Sequence, residues 1–284
     1  MTSSTTDFAP AKINLTLRVI GRRADGYHEL ESLVAFADIG DTLTFDPADD
    51  TALGVGGPFG AAIGATVDNL VLKARGALGA RVPNTRGGHF TLIKKLPVAA
   101  GIGGGSADAA AALRLLARAN GIALDDPRLM ATALAVGADV PVCMAGKACV
   151  MRGVGEILSE PLDLRPLPAV LVNPGVATAT RDVFKAFAGM TGSATPLGDV
   201  PRRGLVDFLQ AHGNDLTPAA ISCVPLIGEV LDTLAALPDV RLTRMSGSGS
   251  TCFALFERRA AAKAAAAQLA EARPDWWVAA TTLR

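Results

Sequence analysis

Excess charge of either sign is absent from this chain of 284 residues: Lys plus Arg number 27, Asp plus Glu number 27, and no basic run is longer than two, as at Arg22-Arg23 and Lys94-Lys95. A general nucleic-acid binder draws its affinity from clustered cations, so that class is excluded. Cysteines are few (Cys143, Cys149, Cys223 and Cys252), form no C-x-x-C pair, and are accompanied by only three histidines. Neither a zinc framework nor a disulfide scaffold has its ligands, and all four cysteines read as small core residues. The longest uncharged stretch, Thr51 to Val67, is interrupted by five glycines and Pro58 and cannot serve as a membrane-crossing helix of ~20 apolar residues. The opening MTSSTTDFAPAK lacks the basic and apolar segments of a secretory signal, so the expectation is a cytoplasmic protein that engages neither membrane nor nucleic acid. Aromatics make up only 5%, with one tyrosine, so the core must be built from Ala, Val, Leu and Ile.

What is present alternates between strand and helix. In PAKINLTLRVIG, Ile13, Leu15, Leu17 and Val19 share one face and Lys12, Asn14, Thr16 and Arg18 the other, the period of a half-buried strand. A polar connection, GRRADGYHELES, leads to a second strand-like stretch ending at DTLTF. Helical spacing runs from Asp68 to Leu78, with Asp68 or Asn69 able to cap it, and again from Asp126 to Val136. The strongest helix signal is SADAAAALRLLARANG, rich in helix formers from Ser106 and stopped by Asn120-Gly121. In the second half, helices are expected at 205–212, 226–236 and 260–272, and strands near Leu171, Leu242, Phe253 and in the final WWVAATTL. Three prolines in EPLDLRPLP, from Glu160 to Pro168, suit a linker and divide the chain into 1–162 and 163–284. The fold class is α+β or α/β.

Pro97 to Ser106, PVAAGIGGGS, leaves a predicted strand, places glycine at four of five positions (Gly101, Gly103, Gly104, Gly105) and enters the strong helix directly. Glycine permits close backbone approach, and the unpaired N–H groups of a helix start attract an anion, so a phosphate cradle is the functional reading. A Walker A loop fails because Ala107 follows Ser106 where G-K-[ST] is required. A dinucleotide fingerprint anchored on Gly101 needs Gly at 106, and a nucleophile elbow on Ser106 needs Gly where Asp108 stands.

The letters PVAAGIGGGSADAA resemble the second motif of the GHMP kinases (galactokinase, homoserine kinase, mevalonate kinase, phosphomevalonate kinase), P-x-x-x-G-[LI]-G-[SG]-S-[AS], with one extra glycine. PAKINLTLRVIGRRADGYHEL is similar to their first motif, and MSGSGSTCFALF, residues 245–256, to their third. The pairing of PAKINL with RADGYH, together with GADVPVCMAG, narrows the resemblance to a member that phosphorylates a small alcohol carrying a cytidine diphosphate group, on the non-mevalonate route to isoprenoid precursors. The resemblance implies a two-domain α+β architecture: an N-terminal α/β domain for ATP and a C-terminal ferredoxin-like domain. A homoserine or mevalonate kinase is the alternative, disfavoured by the Tyr-His pair after the first strand.

Phosphoryl transfer needs positioning, charge neutralisation and an acceptor for the hydroxyl proton. Asp139, in LAVGADVPVCM, lies between apolar segments and reads either as a turn or N-cap aspartate or as a functional carboxylate. The resemblance makes it the catalytic base. Lys12 by residue type is a solvated edge lysine; the resemblance places it beside that base, and the alternation points Asn14 the same way. Ser106 reads as an N-cap, and by resemblance faces the ATP phosphates and Mg²⁺. Asn69 would lie near adenine, with Pro97, Gly101, Gly103, Gly104 and Gly105 lining the phosphates. Tyr27 and His28 suit the face and edge of a nucleobase; the resemblance implies that they contact cytosine, with Phe184 on the other side. Gly247 and Gly249 of the third motif would let backbone approach the phosphates or the acceptor's diphosphate. The family often adds a metal-binding carboxylate from the segment equivalent to Leu129–Val136, where this chain has no acidic residue, so Mg²⁺ is expected to ride on ATP through water.

Overall fold

The computed structural model describes residues 4–24, 26–63, 66–187 and 196–284. In chain order its elements are β1 (Thr5–Asn14), β2 (Arg18–Arg22), β3 (His28–Pro47), β4 (Ala52–Gly56), α1 (Leu70–Arg81), β5 (Gly88–Ile93), α2 (Gly104–Ala119), α3 (Pro127–Val136), α4 (Val140–Ala145), β6 (Cys149–Gly153) and β7 (Ile157–Leu158). There follow β8 (Leu167–Asn173), α5 (Thr180–Phe187), α6 (Leu205–Ala211), α7 (Thr217–Cys223), α8 (Leu226–Ala235), β9 (Val240–Met245), β10 (Cys252–Phe256), α9 (Arg259–Ala272) and β11 (Trp277–Leu283). No helix among the described residues is long and apolar enough to cross a membrane.

Two compact units are built from interleaved segments. Unit 1 draws on Met1–Ala11, Ile39–Val98 and Gly103–Gly146; unit 2 draws on Lys12–Asp38, Ala99–Ile102 and Lys147–Arg284. In unit 1, β5 pairs antiparallel with the second half of β3, Phe45 opposite Phe90, and parallel with β4. Those two rings tilt together at 4.8 Å, fully buried. Helix α2 packs on α1 and α4 and buries Ala107, Ala109 to Leu113 and Leu115 to Ala117. An apolar surface running almost all round a helix belongs to a central helix, and alanine keeps it slim enough for neighbours on several sides. Asp126 caps α3 by accepting from the Arg128 amide at 2.8 Å, with Pro127 at the first helical position, as its sequence foretells.

In unit 2 the strands run in the order β11-β8-β10-β9, every pairing antiparallel. With helices between β8 and β9 and α9 between β10 and β11, this is the βαββαβ ferredoxin-like arrangement. Val170, Val172, Ala254 and Phe256 of the sheet share a core with Val230, Leu234, Ala262 and Leu269 of the helices. The first half of β3 pairs with β2 and β6.

Two expectations change. The opening PAKINLTLRVIG is not one half-buried strand: β1 ends at Asn14 and β2 begins at Arg18, and Lys12, Asn14 and Thr16 are 3%, 1% and 0% exposed, so three of its four polar positions are enclosed and only Arg18 is half-buried. Cys143, Cys149 and Cys252 are buried, but Cys223, at the end of α7, is exposed rather than a core residue.

Candidate active site

The glycine-rich loop joins β5 to α2. Gly103, at φ +64°, is the left-handed N-cap of α2, and the first helical bond runs from the Ala107 amide to the Gly103 carbonyl at 2.8 Å. Ser106 is therefore the third helical residue and not the cap. The cap lies earlier because glycine takes a left-handed conformation without strain. The amides of Gly104, Gly105 and Ser106 have no acceptor within the helix, which leaves them for an anion. Asn69 does cap α1, its side chain accepting from the Val71 amide at 3.0 Å.

In unit 2 the three motifs meet around one hydroxyl. Ser246 Oγ accepts from the Asn14 amide at 3.1 Å and donates to the Gly101 carbonyl at 3.0 Å. The Lys12 amide donates to the Ile102 carbonyl at 2.9 Å, and the Thr251 amide to that of Ala100 at 3.1 Å. Backbone meets backbone so closely that side chains are excluded. A Cβ on Gly101 (φ +74°) would lie 2.5 Å from the Gly249 oxygen, and one on Gly247 would lie 2.8 Å from the Gly101 oxygen. A Cβ on Gly249 would strike Met245 Sδ at 2.9 Å, so these glycines first serve the mutual approach of the second and third motifs. Asn14 donates to Ser32 Oγ at 2.7 Å while its own Oδ1 is buried with no protein partner, an acceptor held ready for a ligand donor. The Lys12 side chain is buried, contrary to a solvated edge lysine. Its charge is felt by Cys149, whose thiol burial pushes up to about 11 against that opposing charge.

His28 opens β3, and its ring stacks on Phe184 at 5.0 Å and 23°, with Phe187 edge-on at 5.9 Å. Burial, then the charge of Arg22, hold the imidazole below its ordinary value, so at neutral pH it offers one donor and one acceptor. Tyr27, immediately before, is 66% exposed. In unit 1, Asp139 occupies the N-cap position of the short α4 without making a side-chain capping bond, and it is half-buried. Among the described residues no group of three or more His, Cys, Asp or Glu side chains is arranged to hold a metal ion.

A left-handed glycine cap followed by three amides without a helical acceptor is a geometry able to receive an anion. The model of the GHMP kinases N terminal domain matches residues 69–147, and that of the GHMP kinases C terminal domain matches 202–275. The chain belongs to the GHMP kinase family. It is thus a phosphotransferase that draws on ATP. A 4-diphosphocytidyl-2-C-methyl-D-erythritol kinase of Rhodopseudomonas palustris is 56% identical over 98% of this chain and 96% of its own. The same-named protein of Nitrobacter hamburgensis is 55% identical over 97% and 94%. Among solved structures, a 4-(cytidine 5'-diphospho)-2C-methyl-D-erythritol kinase superposes with a TM-score of 0.81 at 35% identity, covering 98% of this chain and 99% of that one. The homoserine kinase of Cytophaga hutchinsonii, at 17% identity and a TM-score of 0.72 over 99% and 96%, shares the fold.

Sequence reasoning missed one feature of this GHMP kinase. Lys94, just past β5, is buried between two buried carboxylates: Asp41 of β3, and Asp108 of α2 at 2.7 Å. Asp41 Oδ1 also accepts from the Lys95 and Leu96 amides at 2.6 and 2.9 Å. Burial above all pushes the Asp108 carboxyl up to about 7; Lys94 opposes that shift and Asp41 adds to it. The available signal was the single acidic residue in ADAAAALRLL, since an acid amid alanines on a buried helix must find a cation.

Proposed function

We propose that this kinase transfers the γ-phosphate of ATP to the 2-hydroxyl of 4-diphosphocytidyl-2-C-methyl-D-erythritol, in the non-mevalonate route to isoprenoid precursors. The observation that carries the reading is full-length similarity of 52–56% identity to proteins of that name. The stacked His28 and Phe184 rings are its chemical support, since a nucleobase needs an aromatic face and a polar edge. Tyr27, His28 and Phe184 are assigned to cytosine. Asn14, through Oδ1, and the backbone at Gly247 and Gly249 are assigned to the rest of the acceptor.

On the donor side, the amides of Gly103 to Ser106 hold the ATP phosphates, with Pro97 and Gly101 shaping the loop and Asn69 towards adenine. Asp139 takes the proton from the acceptor hydroxyl as its oxygen bonds to the γ-phosphorus and the bond to the ADP oxygen breaks. Lys12 neutralises the charge that develops on the transferring group. Mg²⁺ accompanies ATP on its phosphates through water, in keeping with the lack of an acidic residue in Leu129–Val136. The enzyme is read as cytoplasmic, its partner a small-molecule substrate with a cytidine diphosphate group and neither nucleic acid nor membrane.

An ATP-consumption assay with the cytidine-linked acceptor, homoserine and mevalonate tests this. Turnover on the first alone is expected; turnover only on either of the others overturns the acceptor, and turnover on none overturns the kinase reading.

A further inference from the structure

Four glycines make the phosphate loop easy to bend, yet a cradle for ATP works only if its amides are fixed before the ligand arrives. The loop leaves the protein at residues 94–96 and returns at α2, so its shape depends on how those two arms are held. Both arms converge on one charged cluster in unit 1. Asp41 Oδ1 takes the amides of Lys95 and Leu96 on the outgoing arm, and its Oδ2 meets the Lys94 ammonium. The same ammonium reaches across to Asp108 Oδ2, in the second turn of α2, at 2.7 Å. It also abuts the returning arm directly: a Cβ on Gly104, the first residue of α2, would lie 3.0 Å from Lys94 Nζ.

The composition of this cluster is poor for stability alone. Three buried ionisable groups carry a desolvation penalty that well-packed apolar residues would avoid, and Asp108 Oδ1 is left with no protein partner. Such groups are used where a geometry must be specified. The other cations of α2 and its neighbours are engaged elsewhere: Arg114 and Arg118 with Asp7, Lys73 with Asp68, Arg75 with the Thr85 carbonyl, Arg81 with the Ala77 carbonyl and Arg128 with Asp126.

We propose that Asp41, Lys94 and Asp108 are positioning residues, an ionic clamp across the base of the glycine loop that sets the gap between its two arms and thereby its fit to the ATP phosphates. This rests on the functional reading above, in which that loop holds ATP.

The test measures binding of a non-hydrolysable ATP analogue with Mg²⁺, without acceptor, to the full chain, and separately binding of cytidine 5′-diphosphate as a probe of the acceptor site. Asp108→Ala should weaken the ATP analogue at least tenfold and cytidine diphosphate less than twofold. Asp108→Asn, which keeps an acceptor for Lys94, should restore ATP binding to within about threefold. Should Asp108→Ala fail to fold, Lys94→Arg decides: it retains the charge but puts a planar fork where Gly104 leaves no room, and should weaken the analogue at least fivefold with the cytidine probe unaffected. Unchanged ATP affinity in a folded variant, or equal loss for both probes, overturns the clamp alone. A wild-type protein that binds no ATP overturns the functional reading and the clamp with it.

Discussion

Replacing Gly101 by alanine tests whether the second and third glycine motifs meet backbone to backbone. The new Cβ would enter a residue at φ +74°, a left-handed conformation that disfavours L side chains by about 1–2 kcal/mol. It would also lie 2.5 Å from the Gly249 oxygen and 2.6 Å from the Ser246 oxygen. Neither is the tip of a flexible side chain that can swing away, so relief requires moving backbone, and overpacking of this kind costs a further 1–3 kcal/mol or so. The sum, about 2–5 kcal/mol, is a large part of the roughly 5–15 kcal/mol that holds a folded domain together. At about 2–4 °C per kcal/mol for a chain of this size class, the melting temperature should drop by roughly 5–20 °C. The displaced loop should also raise the KM for ATP by about tenfold or more. Gly76→Ala is the control: Gly76 is exposed on α1 with nothing within 4 Å of a Cβ, so that change should be neutral or stabilise by about 0.5–1 kcal/mol. Thermal unfolding and steady-state kinetics on both variants decide the matter. A Gly101→Ala protein that melts within 2 °C or so of wild type with an unchanged KM for ATP would refute the close approach.

Three further expectations follow from the site. Lys12→Ala and Asp139→Ala should each lower kcat by about 10²-fold or more with circular dichroism unchanged; near-normal turnover in either removes that residue from the chemistry. Phe184→Ala should raise the KM for the cytidine-linked acceptor by about fivefold or more while leaving that for ATP alone, and equal rises in both would detach Phe184 from the base. For Asp108, burial above all pushes the carboxyl from its ordinary 3.8 up to about 7, with Lys94 opposing the shift. A raised folded value means that the folded state binds more protons than the unfolded chain above the ordinary carboxyl value, so stability falls as pH rises towards 7 and then levels off. Denaturant unfolding of wild type and Asp108→Asn at several pH values measures the difference; parallel profiles contradict the raised value.

Local signals were legible where neighbours in sequence decide the structure. Alanine and leucine propensity, a capping Asp126 and a stopping Asn120-Gly121 mark α2 and α3 within a few residues. Propensity places the start of α2 at Ser106, because glycine is a poor helix former, but the structure starts it at Gly104. Hidden from such reading was everything that depends on distant partners. HELESLVAFADIGDTLTFDP forms one strand of 20 residues although it carries five acids. Glu31 tolerates burial because Arg152 and the Leu197 amide receive it, and Asp41 because Lys94 does. Nothing around Lys12 announces its burial, since the carbonyl that takes its amide belongs to Ile102. The glycine spacing of the three motifs was readable, but their convergence on the Ser246 hydroxyl was not.

The interleaving of the two units has a consequence for how the protein comes into being. Lys12–Asp38 finds partners of unit 2 far later in sequence, among them Arg152, Asn214 and Arg284, whose carbonyl takes the Phe36 amide. Until those later residues are made, this segment can pair β2 with β3 but leaves the edge that β6 covers open, the state in which β-structure is most open to aggregation. Neither unit can be excised as one continuous fragment without losing strands. Presence of all these segments together, rather than of either half, should be what makes the molecule resistant to proteolysis.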